Sequence, residues 1–210
     1  YMKTTLYLIR HGATPVNLMK PARLQGRRTD AELAPEGVLQ ALATRDFLAA
    51  RAVDVVYCSP LRRAFQTAQL LAEPHCLIPQ TIPELTECDI GLWEGLSWEE
   101  VKAQYPTEYT NYHADPGSNP YLGGENFAQV HARSAPAIET LLQRHAGETL
   151  VVVSHYVVTR TYLAGVLGLG PARARAVYLD NCGISIVTRE NDKTQVHTIN
   201  AAFHLQGLVA

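Results

Sequence analysis

The chain has 210 residues, 47% of them hydrophobic, enough to bury the core of one domain and too many for a disordered or fibrous polymer. Its formal charge of −2 at pH 7 gives no bulk attraction to nucleic acid or to an acidic membrane surface, so any recognition of an anion must be local. No apolar stretch reaches the roughly 18 residues of a membrane span, no basic-then-apolar leader is visible, and the 4 cysteines show no C-x-x-C pairing. Free buried thiols in a cytoplasmic protein are the expectation.

In chain order, the first predicted element is a strand, "LYLIR" (6–10), followed by a helix over "EGVLQALATRDFLAAR" (36–51) and a second strand, "VDVVYCS" (53–59). Helical patterns come next at "LRRAFQTAQLLAE" (61–73), "SWEEVKAQYP" (97–106) and "ENFAQVHARSAPAIETLLQRH" (125–145). Ser97 followed by Glu100 has capping-box spacing, Pro106 marks the end of that helix, and Pro136 predicts a kink or short break over 134–136. The long polar stretch 106–124, punctuated by Pro and Gly, is predicted to be a loop that serves as a lid. A third apolar run, "TLVVVSH" (149–155), is a strand, and "CGISIVTR" with "QVHTIN" is expected to form a terminal antiparallel pair. Continuous apolar strands alternating with helices predict an α/β fold: one domain over 1–210 with a mainly parallel central sheet flanked by helices.

In an open parallel sheet, ligands lie beyond the carboxyl ends of the strands, and all three runs end in reactive residues. The first delivers Arg10 and His11, the second leads into Ser59-Pro60-Leu61-Arg62-Arg63, and the third delivers Ser154 and His155. Guanidinium groups bind phosphate oxygens through paired, charge-assisted hydrogen bonds, and a neutral imidazole can attack phosphorus near neutral pH. The pattern therefore points to His11 as a nucleophile toward a phosphoryl group that Arg10 holds. Singly, each of these histidines is more often structural than catalytic; the convergence carries the reading. No cysteine is followed six residues later by arginine, and there is no G-x-x-x-x-G-K-[ST] loop and no obvious metal-ligand spacing, so neither metal nor cofactor is expected.

With "LIRHG", Asn17, "SPLRRAFQTA", "LTECDIGLWEG", "GGEN" and "VVVSH" in that order, the chain resembles the histidine phosphatase superfamily, the phosphoglycerate mutase-like proteins, from residue 6 to about residue 187. The resemblance implies a phosphohistidine formed on His11. It implies a phosphate pocket made of Arg10, His11, Asn17, Arg62 and His155, with His155 counted among the catalytic residues, and a substrate-facing turn at Gln25-Gly26. It also implies that Glu87 protonates the leaving oxygen and then activates water, with Asp89 the nearest rival for that role. Tyr156 departs from the glycine that many relatives carry after the second histidine, and is expected to meet the substrate. Together with Tyr105, Tyr109, Tyr112 and Tyr121, it suggests a tyrosine-walled pocket for a neutral leaving group, although packing of the loop explains those rings as well.

The expected activity is hydrolysis of a small phosphomonoester, without nucleic acid or membrane partners and with a homodimer left open. The alternatives are a phosphoglycerate mutase and a non-catalytic phospho-ligand binding protein. The absence of Arg and Lys in 106–124 argues against the mutase, and the presence of both His11 and Glu87 argues against the silent binder.

Overall fold

The three apolar runs become the inner, parallel strands of a six-stranded sheet. The structure, a computed structural model, describes residues 2–208 of the chain. In chain order the strands are β1 (Thr4–Arg10), β2 (Val55–Cys58), β3 (Gln80–Thr81), β4 (Thr149–Ser154), β5 (Ile184–Glu190) and β6 (Lys193–Ala201), arranged β3-β2-β4-β1-β5-β6. The first four are mutually parallel, while β5 runs antiparallel to β1 and β6 to β5, as the terminal pair required.

Side chains alternate across this sheet with the period of a strand. Leu6 and Leu8 of β1, with Leu150 and Val152 of β4, face one cluster together with Ile138, Val158 and Tyr162. Ile9, Val151 and Val153 face the other, against Leu48, Ala64, Ala68 and Leu71. Buried on both faces, these strands read as unbroken apolar runs, and helices cover both sides of the sheet.

The helices are α1 (Pro35–Ala49), α2 (Arg62–Ala72), α3 (Trp98–Gln104), α4 (Pro106–Ala114), α5 (Phe127–Arg144) and α6 (Tyr156–Val166). The capping box forms at Ser97 and Glu100, and a second one at Asn126 and Gln129 starts α5. Ala34 caps α1 without any side-chain hydrogen bond. Of the kink or short break expected at Pro136, the break does not occur: α5 is one continuous helix through it.

One expectation needs correction. The stretch 106–124 is not a free loop, because its first half is α4. Tyr112 is 2% exposed and packs its ring 5.4 Å from Trp93 and 5.6 Å from Trp98, so aromatic burial anchors the segment to the body. Helix α3 ends at Gln104, just before Pro106 as expected, and Pro106 is also the first residue of α4, a position where its missing N–H costs nothing. Helix α6 had no periodic signal: it is buried without interruption from Val157 to Ala164, so no polar face marks it in the sequence.

Candidate active site

The register of β1 with β4 aligns Arg10 with Ser154, so the residues that follow, His11 and His155, leave the sheet side by side. The His11 amide donates to the Ser154 carbonyl at 3.0 Å, and the two imidazole centroids stand 5.1 Å apart. Strand β2 ends beside them: the Ser59 amide donates to the Val153 carbonyl at 3.0 Å, and the Ser59 hydroxyl lies 2.7 Å from His155 Nε2. Gly12 is required by close packing, since a Cβ there would lie 2.5 Å from the Gly37 carbonyl oxygen at the start of α1.

The tautomer of His11 is fixed by its neighbour. Its Nδ1 lies 2.7 Å from the Gly12 carbonyl oxygen, which can only accept, so Nδ1 carries the hydrogen and Nε2 presents a lone pair. Onto that lone pair Arg63 donates from Nε at 3.3 Å. Burial, and then the charges of Arg63 and Arg10, hold the His11 pKa well below the ordinary histidine value. His155 is lowered in the same way, by burial first and then by Arg63, His11 and Arg10. Its Nδ1 is buried with no hydrogen-bond partner among the described residues, as is Arg10 Nε.

The arginine beside the histidines is Arg63, not the expected Arg62. Arg63 is fully buried on the inner face of α2, and donates to the carbonyls of Thr29 at 2.8 Å and Gly26 at 2.9 Å. Arg62 points to solvent with its side chain 62% exposed, 3.2 Å from Glu32. The helical period distinguishes them, because Arg63, Thr67 and Leu71 recur every fourth residue and all are buried.

Around this centre, Asn17 and Gln25 have oriented amides. Asn17 Oδ1 accepts from the Thr14 amide at 3.0 Å, which turns Nδ2 toward Gln25. Gln25 Oε1 accepts from the Thr14 hydroxyl at 2.9 Å, leaving its Nε2 buried and unpartnered among the described residues. Gly26 lets the chain turn where a Cβ would lie 2.7 Å from the Cys88 carbonyl oxygen, and its amide donates to Glu94 at 2.8 Å. Asn181, which sequence reasoning missed, donates to the His11 carbonyl at 2.8 Å.

Glu87 is 3% exposed, with Oε1 accepting from the Cys88 amide at 2.8 Å and Oε2 from the Val157 amide, at the start of α6, at 3.2 Å. Burial raises its pKa above the ordinary carboxyl value, opposed by those amides and by Arg63 and Arg133. Asp89, the rival, is held by Arg27 at 2.8 Å and Arg28 at 2.9 Å, and those hydrogen bonds outweigh burial to keep its pKa low.

Two adjoining compartments open over the site and share Arg10, Asn17 and Arg23. The smaller, of about 150 Å³, also meets Gln25, Glu87 and Tyr156; the larger, of about 320 Å³, extends to Tyr178, Asp180 and Asn181. Arg10 and Arg160 lie over the Tyr156 ring at 4.8 and 4.5 Å, which locks the tyrosine in place as a wall. Tyr112 packs in the core, whereas Tyr121, though 5% exposed, reaches the smaller compartment.

A neutral imidazole with a fixed tautomer, two guanidinium groups, oriented amide donors and a carboxyl with a raised pKa together suit phosphoryl transfer with proton exchange at the leaving oxygen. Among the described residues no cluster of three His, Cys, Asp or Glu side chains could hold a metal ion, and no helix is long and apolar enough to cross a membrane.

Comparison with known proteins places the chain in a family. The model of the histidine phosphatase superfamily (branch 1) matches residues 6–202. Phosphoserine phosphatase 1 of Hydrogenobacter thermophilus is 32% identical over 95% of this chain and 93% of its own length. The metal-independent phosphoserine phosphatase of Arabidopsis thaliana is 30% identical over 98% of this chain and 84% of its own. A crystal structure of a phosphoserine phosphatase mutant from Entamoeba histolytica in complex with phosphoserine superposes with a TM-score of 0.86 at 30% identity, covering 96% of this chain and 99% of the other.

Proposed function

The chain belongs to the histidine phosphatase superfamily and is a hydrolase of small phosphomonoesters, and on that premise we propose how its residues divide the work. The phosphoryl group lies between the two imidazoles, its oxygens taken by Arg10, Arg63, Asn17 and His155. His11 Nε2 attacks phosphorus while the ester P–O bond breaks, and Glu87 delivers its proton to the departing oxygen. The Nδ1–H bond to the Gly12 carbonyl stabilises the charge that develops on the ring. Arg63, which caps the lone pair in the free site, shifts its donor to a phosphoryl oxygen. Glu87, now a carboxylate, takes a proton from water, whose oxygen attacks phosphorus as the N–P bond breaks and the lone pair returns to His11.

The observation that carries this reading is the lone pair of His11 Nε2, held by the Gly12 carbonyl and facing a buried guanidinium. The mutase and silent-binder alternatives have no such support, and the two curated relatives described above are named phosphatases. With p-nitrophenyl phosphate, whose leaving group needs no proton, Glu87→Gln should release about one equivalent of nitrophenolate in a burst and then turn over slowly, because only the attack of water still needs the carboxylate. A variant with no burst and an undiminished steady rate removes Glu87 from the mechanism.

For the leaving group, the smaller compartment, of about 150 Å³, suits a small group rather than a bulky one. Its polar wall includes Arg10 and Arg23. Arg10 serves the phosphoryl group and Arg23 is ion-paired with Glu100, so the likeness to phosphoserine phosphatases, rather than a free cation, favours a leaving group that carries a carboxylate, as the serine of phosphoserine does, over the neutral one that the tyrosines suggested. O-phosphoserine should exceed phosphoethanolamine in kcat/KM by about tenfold, the worth of one charge-assisted hydrogen bond. Equal values would return selectivity to Tyr156 and Tyr121.

A further inference from the structure

The segment that carries Glu87 has no regular structure beyond a single turn, yet four consecutive carbonyls in it are bonded by side chains. Arg133, on the second turn of α5, donates to the carbonyls of Glu84 at 2.7 Å, Thr86 at 2.7 Å and Glu87 at 3.1 Å. Ser154, the residue before His155, donates to the carbonyl of Leu85 at 3.0 Å. The remaining donors of Arg133 reach Glu125, Nε at 2.8 Å and Nη2 at 3.0 Å, so all five N–H groups of the guanidinium are used. Glu125 in turn accepts the Asp89 amide at 2.8 Å, fixing the chain on the far side of Glu87.

Resting on the reading of Glu87 as the proton donor, we propose that Arg133, braced by Glu125, is a positioning residue that fixes where the Glu87 carboxyl meets the leaving oxygen. The physical case is geometric. Glu87 is held at its carboxyl by two backbone amides, of Cys88 and Val157, and at its own backbone by Arg133. The strap 84–87 pairs with no strand; besides Arg133, only Ser154 on the Leu85 carbonyl and the turn bonds of the Leu85 and Thr86 amides hold its backbone among the described residues. A planar fork with five fixed donors grips several carbonyls at once, which the compact ammonium of lysine cannot imitate. The site keeps its phosphate pocket without Arg133, since Arg10, Arg63 and His155 are placed by other elements. Only the proton transfer depends on the strap.

The test compares kcat/KM, which reports the first chemical step, for an alkyl phosphate whose leaving oxygen needs a proton and for p-nitrophenyl phosphate, which does not. Arg133→Met should lower the alkyl value by about 10²-fold, the lower end of general acid catalysis, while the aryl value changes less than about threefold. Arg133→Lys should stay close to Arg133→Met, and full recovery by lysine would overturn positioning in favour of charge alone. If Arg133→Met does not unfold cooperatively, Glu125→Gln, which loosens the brace, should show the same selective loss at smaller size. Glu87→Gln is the control and should be selective by 10²-fold or more. If the control is selective while Arg133→Met and Glu125→Gln lower both esters alike, or neither, the proposal for Arg133 is wrong and the reading of Glu87 stands. If Glu87→Gln itself lowers both equally, that reading fails and takes the proposal with it.

Discussion

At the scale of single residues, Arg62 and Arg63 are the sharpest contrast. They are adjacent and chemically identical, yet α2 turns one to solvent and the other onto His11. Arg63→Ala should lower kcat by roughly 10²–10³, as loss of one transition-state donor does, and Arg62→Ala should stay within about twofold. Steady-state rates on any good substrate decide this, and the reverse order would put Arg62 back in the pocket. The sequence held the signal that separates them, in the spacing of Arg63 from Thr67 and Leu71, but a motif quoted as "LRRA" conceals it. Arg133 was illegible for a different reason: its partners are backbone carbonyls 46–49 positions away, which no local pattern encodes.

At the scale of elements, the strands were legible because their burial on both faces leaves an unbroken apolar text, and the convergence of His11 with His155 followed from the parallel register. Helix α4 was misread because its polar residues outnumber its anchors. A few buried rings outweigh that polarity, with Tyr112 between Trp93 and Phe127 and its hydroxyl 2.7 Å from that of Tyr121. Tyr112→Ala should therefore destabilise the fold by about 3–5 kcal/mol, the cost of emptying a large aromatic site, as measured by denaturant unfolding. The folded fraction should retain kcat within about threefold, because the ring packs in the core and not against the phosphate pocket. A large fall in kcat with unchanged stability would instead make 106–124 the lid that its composition suggested.

At the scale of the whole molecule, the buried histidines tie stability to pH. His11 and His155 have folded-state pKa values below those of the unfolded chain, so between those values the unfolded state binds more protons and stability falls as the pH drops below about 6.5. His113, His131 and His204, also lowered by burial, act in the same direction. Glu87, with a raised pKa, opposes them, since its burial costs more as it ionises. The histidines outnumber it, so the unfolding midpoint should decline from pH 7 to pH 5, and replacing both His11 and His155 with asparagine should flatten that decline. An unchanged slope would mean that neither histidine is buried in its neutral form. Activity should survive EDTA, since the donors assigned to the phosphate are all side chains of the protein; inhibition reversed by a divalent ion would contradict that.

The account rests on a covalent bond between His11 Nε2 and phosphorus, and trapping that bond tests it most directly. Rapid quenching in base during turnover of a 32P-labelled phosphomonoester should leave label on the protein, stable in alkali and lost in acid. It should map to the peptide containing His11 and be absent from His11→Ala. Turnover at the normal rate with no trapped label, or label on any other residue, would contradict it.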